Sequence, residues 1–294
     1  MATLSGRHLV VFGCGYVGTA VAQWGLAAGL RVTALTRNAN SAVMLRDIGI
    51  QTVVGDLAGT AWHQQIDDAP DFAVNCVSSG GGGIDAYRHS YLRGMESIVT
   101  WAREHRGVGT FIYTSSTSVY PQGDGMRIDE TMPTHGATDR AEVLIATEAA
   151  MQGDPRPWER YFILRLAGIY GPGRHSLLEQ VRSGEVSGSG DHHLNLIHRD
   201  DIVSAVAACI SAPTAVANEV FNVADDGGAT KADIVRWLAE RLGVAMPAFS
   251  GAPAGGRRQI TPDRVIANGK LKTMLGWRPR HSTFREGYAS LLSR

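Results

Sequence analysis

The chain has 294 residues, 44% of them hydrophobic, and its acidic and basic side chains are equal in number, so the formal net charge is zero. Such a chain can bury a sizeable core, as one large domain or two unequal lobes, and offers no overall basic character to nucleic acid or an anionic membrane. No charged leader followed by an apolar segment occurs, nor any apolar stretch of spanning length, which predicts a cytoplasmic protein without a membrane partner.

In chain order, apolar runs predict strands at Leu9–Phe12, Arg31–Leu35, Thr52–Val54, Phe72–Val77, Thr110–Thr114, Tyr161–Arg165 and Val220–Val223. Helical patterns fall between them at 16–28, roughly 41–48, 85–105, 138–152 and 201–211, with a further helix at Lys231–Leu242 and a closing region at Lys270–Leu292. Strands alternating with helices predict an α/β fold, a Rossmann doubly wound parallel sheet with ligands at the carboxyl ends of its strands. Polar, glycine-rich stretches interrupt the pattern at 171–193 and 251–263. The expected division is a dinucleotide-binding domain, 1–173 plus about 194–224, and a small discontinuous C-terminal lobe for substrate, about 174–193 plus 225–294. Cys14, Cys76 and Cys209 are widely spaced in apolar elements, so they read as small core residues, with neither a disulfide nor a metal site expected.

The first strand runs into Gly13-Cys14-Gly15-Tyr16-Val17-Gly18 and then a helix. That order is a dinucleotide fingerprint. The first glycine makes the turn, the second lets a pyrophosphate reach the backbone, and the third lets helix and strand pack closely. Thr36-Arg37 follow the second strand, where a carboxylate would hold the ribose 2′-hydroxyl of NAD; an arginine suits a 2′-phosphate, so NADP is expected, with NAD the alternative. Asp56-Leu57, after the third strand, would reach the adenine edge, although Asp56 would equally cap a helix. Val77-Ser78 close the fourth strand before Gly80–Gly83, small residues against which a cofactor can lie or from which a lid can be built.

Later segments carry a resemblance. Tyr113-Thr114-Ser115-Ser116-Thr117-Ser118-Val119-Tyr120 resembles the active-site serine segment of extended short-chain dehydrogenases/reductases, the group of nucleotide-sugar epimerases and dehydratases. Arg165-Leu166-Ala167-Gly168-Ile169-Tyr170-Gly171-Pro172-Gly173 is similar to their strand-six turn. Leu196–Ile202 and Phe221–Ala224 resemble their later motifs, so the likeness spans nearly the whole chain. It implies that Thr114, Ala167 and Gly168 line the cofactor and that Ser116 hydrogen-bonds a substrate carbonyl or hydroxyl. Ser115, Thr117 and Tyr120 are expected at the substrate.

The resemblance also implies a tyrosine and a lysine four residues apart, one helical turn. Here no tyrosine has a lysine at that spacing, and the only lysines are Lys231, Lys270 and Lys272. Aligned on Glu148, Arg140 takes the tyrosine position and Leu144 the lysine position, as in atypical members. Tyr91 takes the place of an asparagine that organises the site. Candidate replacements for the proton chemistry are Tyr91 and His135, the latter as an imidazole in the loop before the altered helix. Arg140, which cannot serve as a base, would orient an anionic substrate group, and Arg174 and Arg257-Arg258 are further anion contacts. His198 and Asp201 read as structural, Asp201 as the cap of the 201–211 helix.

Two functions follow: an NAD(P)-dependent oxidoreductase, epimerase or dehydratase acting on a small molecule such as a sugar or sugar nucleotide, or a regulator that binds NADP without turnover. A homodimer through the 85–105 and 138–152 helices is a further expectation.

Overall fold

A computed structural model describes residues 4–66, 69–135, 138–251 and 262–293. Seven strands form one parallel sheet: β1 (His8–Phe12), β2 (Arg31–Thr36), β3 (Gln51–Val54), β4 (Phe72–Asn75), β5 (Val108–Ser116), β6 (Trp158–Leu166) and β7 (Glu219–Val223). Their spatial order is β7-β6-β5-β4-β1-β2-β3. These are the seven runs expected from sequence, with ends moved by a few residues. Val10 stands beside Thr33 on one side and Ala73 on the other, so β1 is central and all its residues are buried. Strand order reverses between β1 and β4, and in open α/β sheets ligands bind at that switch point.

Helices α1 (Tyr16–Ala27) and α2 (Ala39–Asp47) follow β1 and β2. The expected 85–105 helix is built from α3 (Ile84–Arg88), a π turn over His89–Arg93, and α4 (Gly94–Glu104). A π turn admits an extra residue and rotates the side chains that follow it, and such turns are frequent at functional sites. Next in the chain are α5 (Asp139–Gln152), α6 (Ser176–Ser183), α7 (Arg199–Ile210), α8 (Lys231–Leu242), α9 (Gly269–Leu275) and α10 (Phe284–Leu292). Among the described residues no helix is long and apolar enough to cross a membrane. The three cysteines are free thiols, with Cys14 and Cys209 buried.

The chain forms two compact units. The first comprises 1–120, 133–165 and 203–221, and the second 121–132, 166–202 and 222–294. In the first, Phe12, Trp62 and Trp101 meet edge-on or tilted with centroids 5.2–5.5 Å apart, at the middle of a core continued by Met95, Ile98 and Phe111. In the second, α6, α8 and α10 enclose Leu178, Val181, Ile234, Leu238, Phe284 and Tyr288. Two three-residue strands, Met126–Ile128 and Arg264–Ile266, pair in parallel within it.

A buried clamp closes part of the second unit. The Asp201 carboxylate accepts from the backbone N–H groups of Arg280 (2.6 Å) and His281 (3.1 Å) and pairs with His281 Nδ1 (2.9 Å). Helix α7 starts at Arg199, so Asp201 lies inside its first turn, past the cap position, and its carboxylate anchors another segment. The His198 ring stands 3.9 Å from that of His281. Burial, and then His281, push His198 down to about 4, so it stays neutral near pH 7.

Asp225 in the same unit is pushed up to about 7, chiefly by burial, despite accepting from the Gly227 N–H at 3.0 Å. The folded protein therefore holds this proton more tightly than the unfolded chain, whose carboxyl titrates near 3.9. Its contribution is full below that value and lost as pH rises through about 7. Asp225→Asn is expected to flatten the fall in urea midpoint between pH 5 and 8, and an unchanged slope would count against a buried, proton-holding Asp225.

Candidate active site

The first unit carries the glycine turn after β1. Gly13 has φ +82°, and a Cβ there would stand 2.6–2.8 Å from Val77 atoms, backbone included. At Gly18 a Cβ would stand 2.3 Å from the Gly13 carbonyl oxygen. No side chain larger than hydrogen fits at either place. Gly15 differs: a Cβ there would meet nothing within 4 Å. Gly15 is also the N-cap of α1, which has no side-chain cap and no acid in its first turn. Unfilled space thus faces a helix start whose N–H groups and dipole favour an anion. The turn is held by the N–H groups of Gly13 and Cys14 donating to Leu35 O at 2.9 and 3.2 Å. Tyr16 is half-buried and Val17 buried behind it. A dinucleotide pyrophosphate fits this cradle.

At the end of β2, Thr36 is buried and its hydroxyl accepts from the Asn38 N–H, while Arg37 is exposed. A Cβ at Gly80 would lie 3.6 Å from an Arg37 guanidinium nitrogen, so arginine and glycine-rich segment are neighbours. Asp56 pairs with His89 Nε2 at 2.7 Å, both side chains about half exposed. Burial would raise the Asp56 pKa, but hydrogen bonds from His89 and Ala58, with the charges of His89 and Arg37, hold it below the ordinary value. His89 escaped sequence reasoning, for nothing in a lone histidine 33 residues downstream marks it as a partner of Asp56. The Leu57 side chain lies in the core, with Gly94 against it. Val77 is half-buried against Gly13, and Ser78 after it is exposed. Thr114 is buried and braces β5 to β4 by donating to Asn75 O at 3.0 Å. Burial pushes the Cys76 thiol up to about 12, so it is not a nucleophile at neutral pH.

Strand β5 delivers the serines. Ser116 Oγ accepts from the Ser118 N–H at 3.2 Å, capping a short turn over Thr117–Val119. Accepting uses a lone pair, so the hydroxyl can still donate to a substrate oxygen. Ser115 Oγ donates to Glu148 Oε1 at 2.6 Å. Glu148 is gripped twice by Arg165, at 3.1 and 2.7 Å, and Arg165 Nη1 donates to the Tyr120 hydroxyl at 2.9 Å. Burial works to lower the Arg165 pKa, but the hydrogen bonds and charge of Glu148 outweigh it. Tyr120 and Ser115 are therefore members of a buried network, and Thr117 is buried beside them.

Across from β5, Leu144 is buried. Arg140 is half-buried, its guanidinium carbon 5.5 Å from the Tyr87 ring centroid. The Tyr87 and Tyr91 rings meet tilted with centroids 4.4 Å apart, and Tyr91 packs partly buried against the main core. Tyr113 on β5 is held protonated by burial first, then by Tyr91, Glu148 and Tyr87. His135 is exposed on a loop.

The remaining expected residues belong to the second unit. Ala167 is buried, its N–H donating to Val223 O at 3.0 Å. A Cβ at Gly168 would stand 2.9 Å from Asn195 O, so glycine permits the close pairing of 168–170 with 196–198. Arg174 is exposed and donates to Ile169 O at 3.2 Å. Arg257 and Arg258 lie outside the described residues.

A family model, the NAD dependent epimerase/dehydratase family, matches residues 9–224. The chain belongs to this family. Its relatives include Protein YeeZ of Escherichia coli K12, 26% identical over 267 residues, covering 89% of this chain and 93% of that protein. UDP-glucose 4-epimerase of Corynebacterium glutamicum is 25% identical over 311 aligned positions, 95% of this chain and 92% of the relative. Among solved structures, UDP-glucuronic acid 4-epimerase from Bacillus cereus, in complex with UDP-glucuronic acid and NAD, superposes with a TM-score of 0.80 at 18% identity. That match covers 98% of this chain and 99% of the other, and it shows the shared fold.

Proposed function

We propose that the protein is an NADP-dependent oxidoreductase, epimerase or dehydratase acting on a hydroxyl or carbonyl of a sugar-type small molecule, with non-standard acid/base residues. The observation that carries this reading is the open Gly15 cradle in the same unit as Ser116 at the end of β5. The dinucleotide, when bound, takes or returns a hydride. Gly13, Gly15 and Gly18 admit its pyrophosphate, and Arg37 meets a 2′-phosphate with paired, charge-assisted hydrogen bonds. Asp56, with His89 beside it, supports the adenine edge, and Val77, Ser78, Thr114, Ala167 and Gly168 complete the cofactor residues. Ser116 polarises the substrate oxygen. A phenol of the α3–π segment moves the proton, Tyr91 being the one placed there by sequence and His135 the alternative. The smaller lobe, with Arg174, takes the substrate.

The test is turnover of NADP or NADPH with nucleotide sugars, followed at the reduced-nicotinamide absorbance. Ser116→Ala is expected to lower kcat by about hundredfold, and equal turnover in both proteins would remove Ser116 from the chemistry. A second reading, a non-catalytic NADP-binding regulator, is favoured by Leu144, which fills the lysine position with a buried apolar side chain. Strong preference for one redox state in calorimetry, without turnover of any sugar, would select it.

A further inference from the structure

Two phenols and one permanent cation meet in the first unit. Tyr87 and Tyr91 project one turn apart from α3 and the π turn, their rings tilted by 39°. Arg140 enters from α5 and places its guanidinium over the Tyr87 ring. Tyr113 on β5 feels Tyr91, Glu148 and Tyr87, while Arg140 on α5 faces the Tyr87 ring. Glu148 holds Ser115, which adjoins Ser116.

A guanidinium keeps its proton at any working pH, so its charge is fixed. A cation beside a phenol favours the ionised oxygen, and an ionised phenol accepts a proton that a neutral one cannot. Tyr91 is less suited, because its ring is packed against the main core while Arg140 sits over its neighbour. Tyr113 is excluded by burial.

We propose that Tyr87 is the proton-exchanging group and that Arg140 supplies the positive charge its phenolate requires. The phenol comes from α3 and the cation from α5, the helix at whose missing tyrosine position Arg140 stands. Tyr91 positions the Tyr87 ring by packing against it. This rests on the oxidoreductase reading. In the oxidation direction the substrate O–H proton passes to the Tyr87 phenolate oxygen, while hydride leaves the same carbon with its electron pair for the oxidised dinucleotide. A carbonyl and a neutral phenol result, and reduction reverses both transfers.

The experiment is a tyrosinate absorbance titration of the ligand-free protein, for the parent, Tyr87→Phe, Tyr91→Phe, Arg140→Gln and Arg140→Lys. One phenol is expected to ionise ahead of the rest in the parent, to vanish in Tyr87→Phe, to move to higher pH in Arg140→Gln and to return in Arg140→Lys. Turnover should fall about hundredfold in Tyr87→Phe with KM little changed. Loss of the early phenol in Tyr91→Phe but not in Tyr87→Phe overturns the assignment, as does an Arg140→Gln midpoint equal to the parent's. Should Tyr87→Phe fail to fold, the two Arg140 variants decide alone. Calorimetry of the parent with NADP and NAD separates the failures: binding without an Arg140-dependent phenol removes the pair, whereas the phenol without binding removes the oxidoreductase reading.

Discussion

Gly18→Ala is expected to destabilise the first unit by about 3 kcal/mol and to abolish dinucleotide binding, because the new methyl would stand 2.3 Å from the Gly13 carbonyl oxygen. Both atoms are fixed, one on a helix and one on the turn before it, so neither can yield without breaking the cradle. Gly15→Ala separates binding from folding. Its methyl meets nothing within 4 Å, and its φ of −88° is open to any residue. Urea unfolding should match the parent, while affinity for NADP falls about tenfold or more, equivalent to about 1.4 kcal/mol. The methyl occupies the approach a pyrophosphate would use. Parent-like affinity in Gly15→Ala would place the phosphates elsewhere.

Arg165→Met is expected to cost about 3–5 kcal/mol. Both partners of the Arg165–Glu148 pair are nearly inaccessible, with side-chain exposures of 8% and 6%. Removing the arginine strands a carboxylate whose only other described partner is the Ser115 hydroxyl, and it takes one hydrogen bond from the Tyr120 phenol. Replacing Glu148 as well, by leucine, should recover much of the loss, since an apolar pair avoids burying charge. Urea unfolding of the two single variants and the double one checks this. An Arg165→Met variant within about 1 kcal/mol of the parent would mean that water reaches Glu148. The network includes Ser115, so the neighbouring Ser116 stands on a strand end held by a buried charge pair.

How much of this was legible in the chain varies with the range of the interaction. The seven strands were, because each is an apolar run bounded by polar or glycine residues, and so were the backbone demands at Gly13 and Gly18, which are local. The π turn was not, for an extra residue in one turn hardly changes the apolar pattern of 85–105. The contacts at the site are long-range. Glu148 and Arg165 are 17 residues apart, Asp56 and His89 are 33 apart, and nothing local in either pair names its partner. Tyr87 and Arg140 stand on separate helices, and neither residue alone suggests acid/base chemistry. Asp201 illustrates the opposite error: its position near a helix start suggested a cap, whereas its bonds run some 80 residues onward.

The interleaved segments of the second unit set an order of synthesis and folding. Strands β1 to β5 come from the first 116 residues and can pair while the chain is still being made. Met126–Ile128 has to wait for Arg264–Ile266, and Asp201 for His281. Closing loops of that length is slow, and domains emerging from the ribosome fold as their last contacts arrive. Nascent chains stalled before residue 264 should therefore protect the central sheet from protease while 166–202 is still cut. The Gly13–Gly18 turn and the strands beside it are then in place before the second unit is complete.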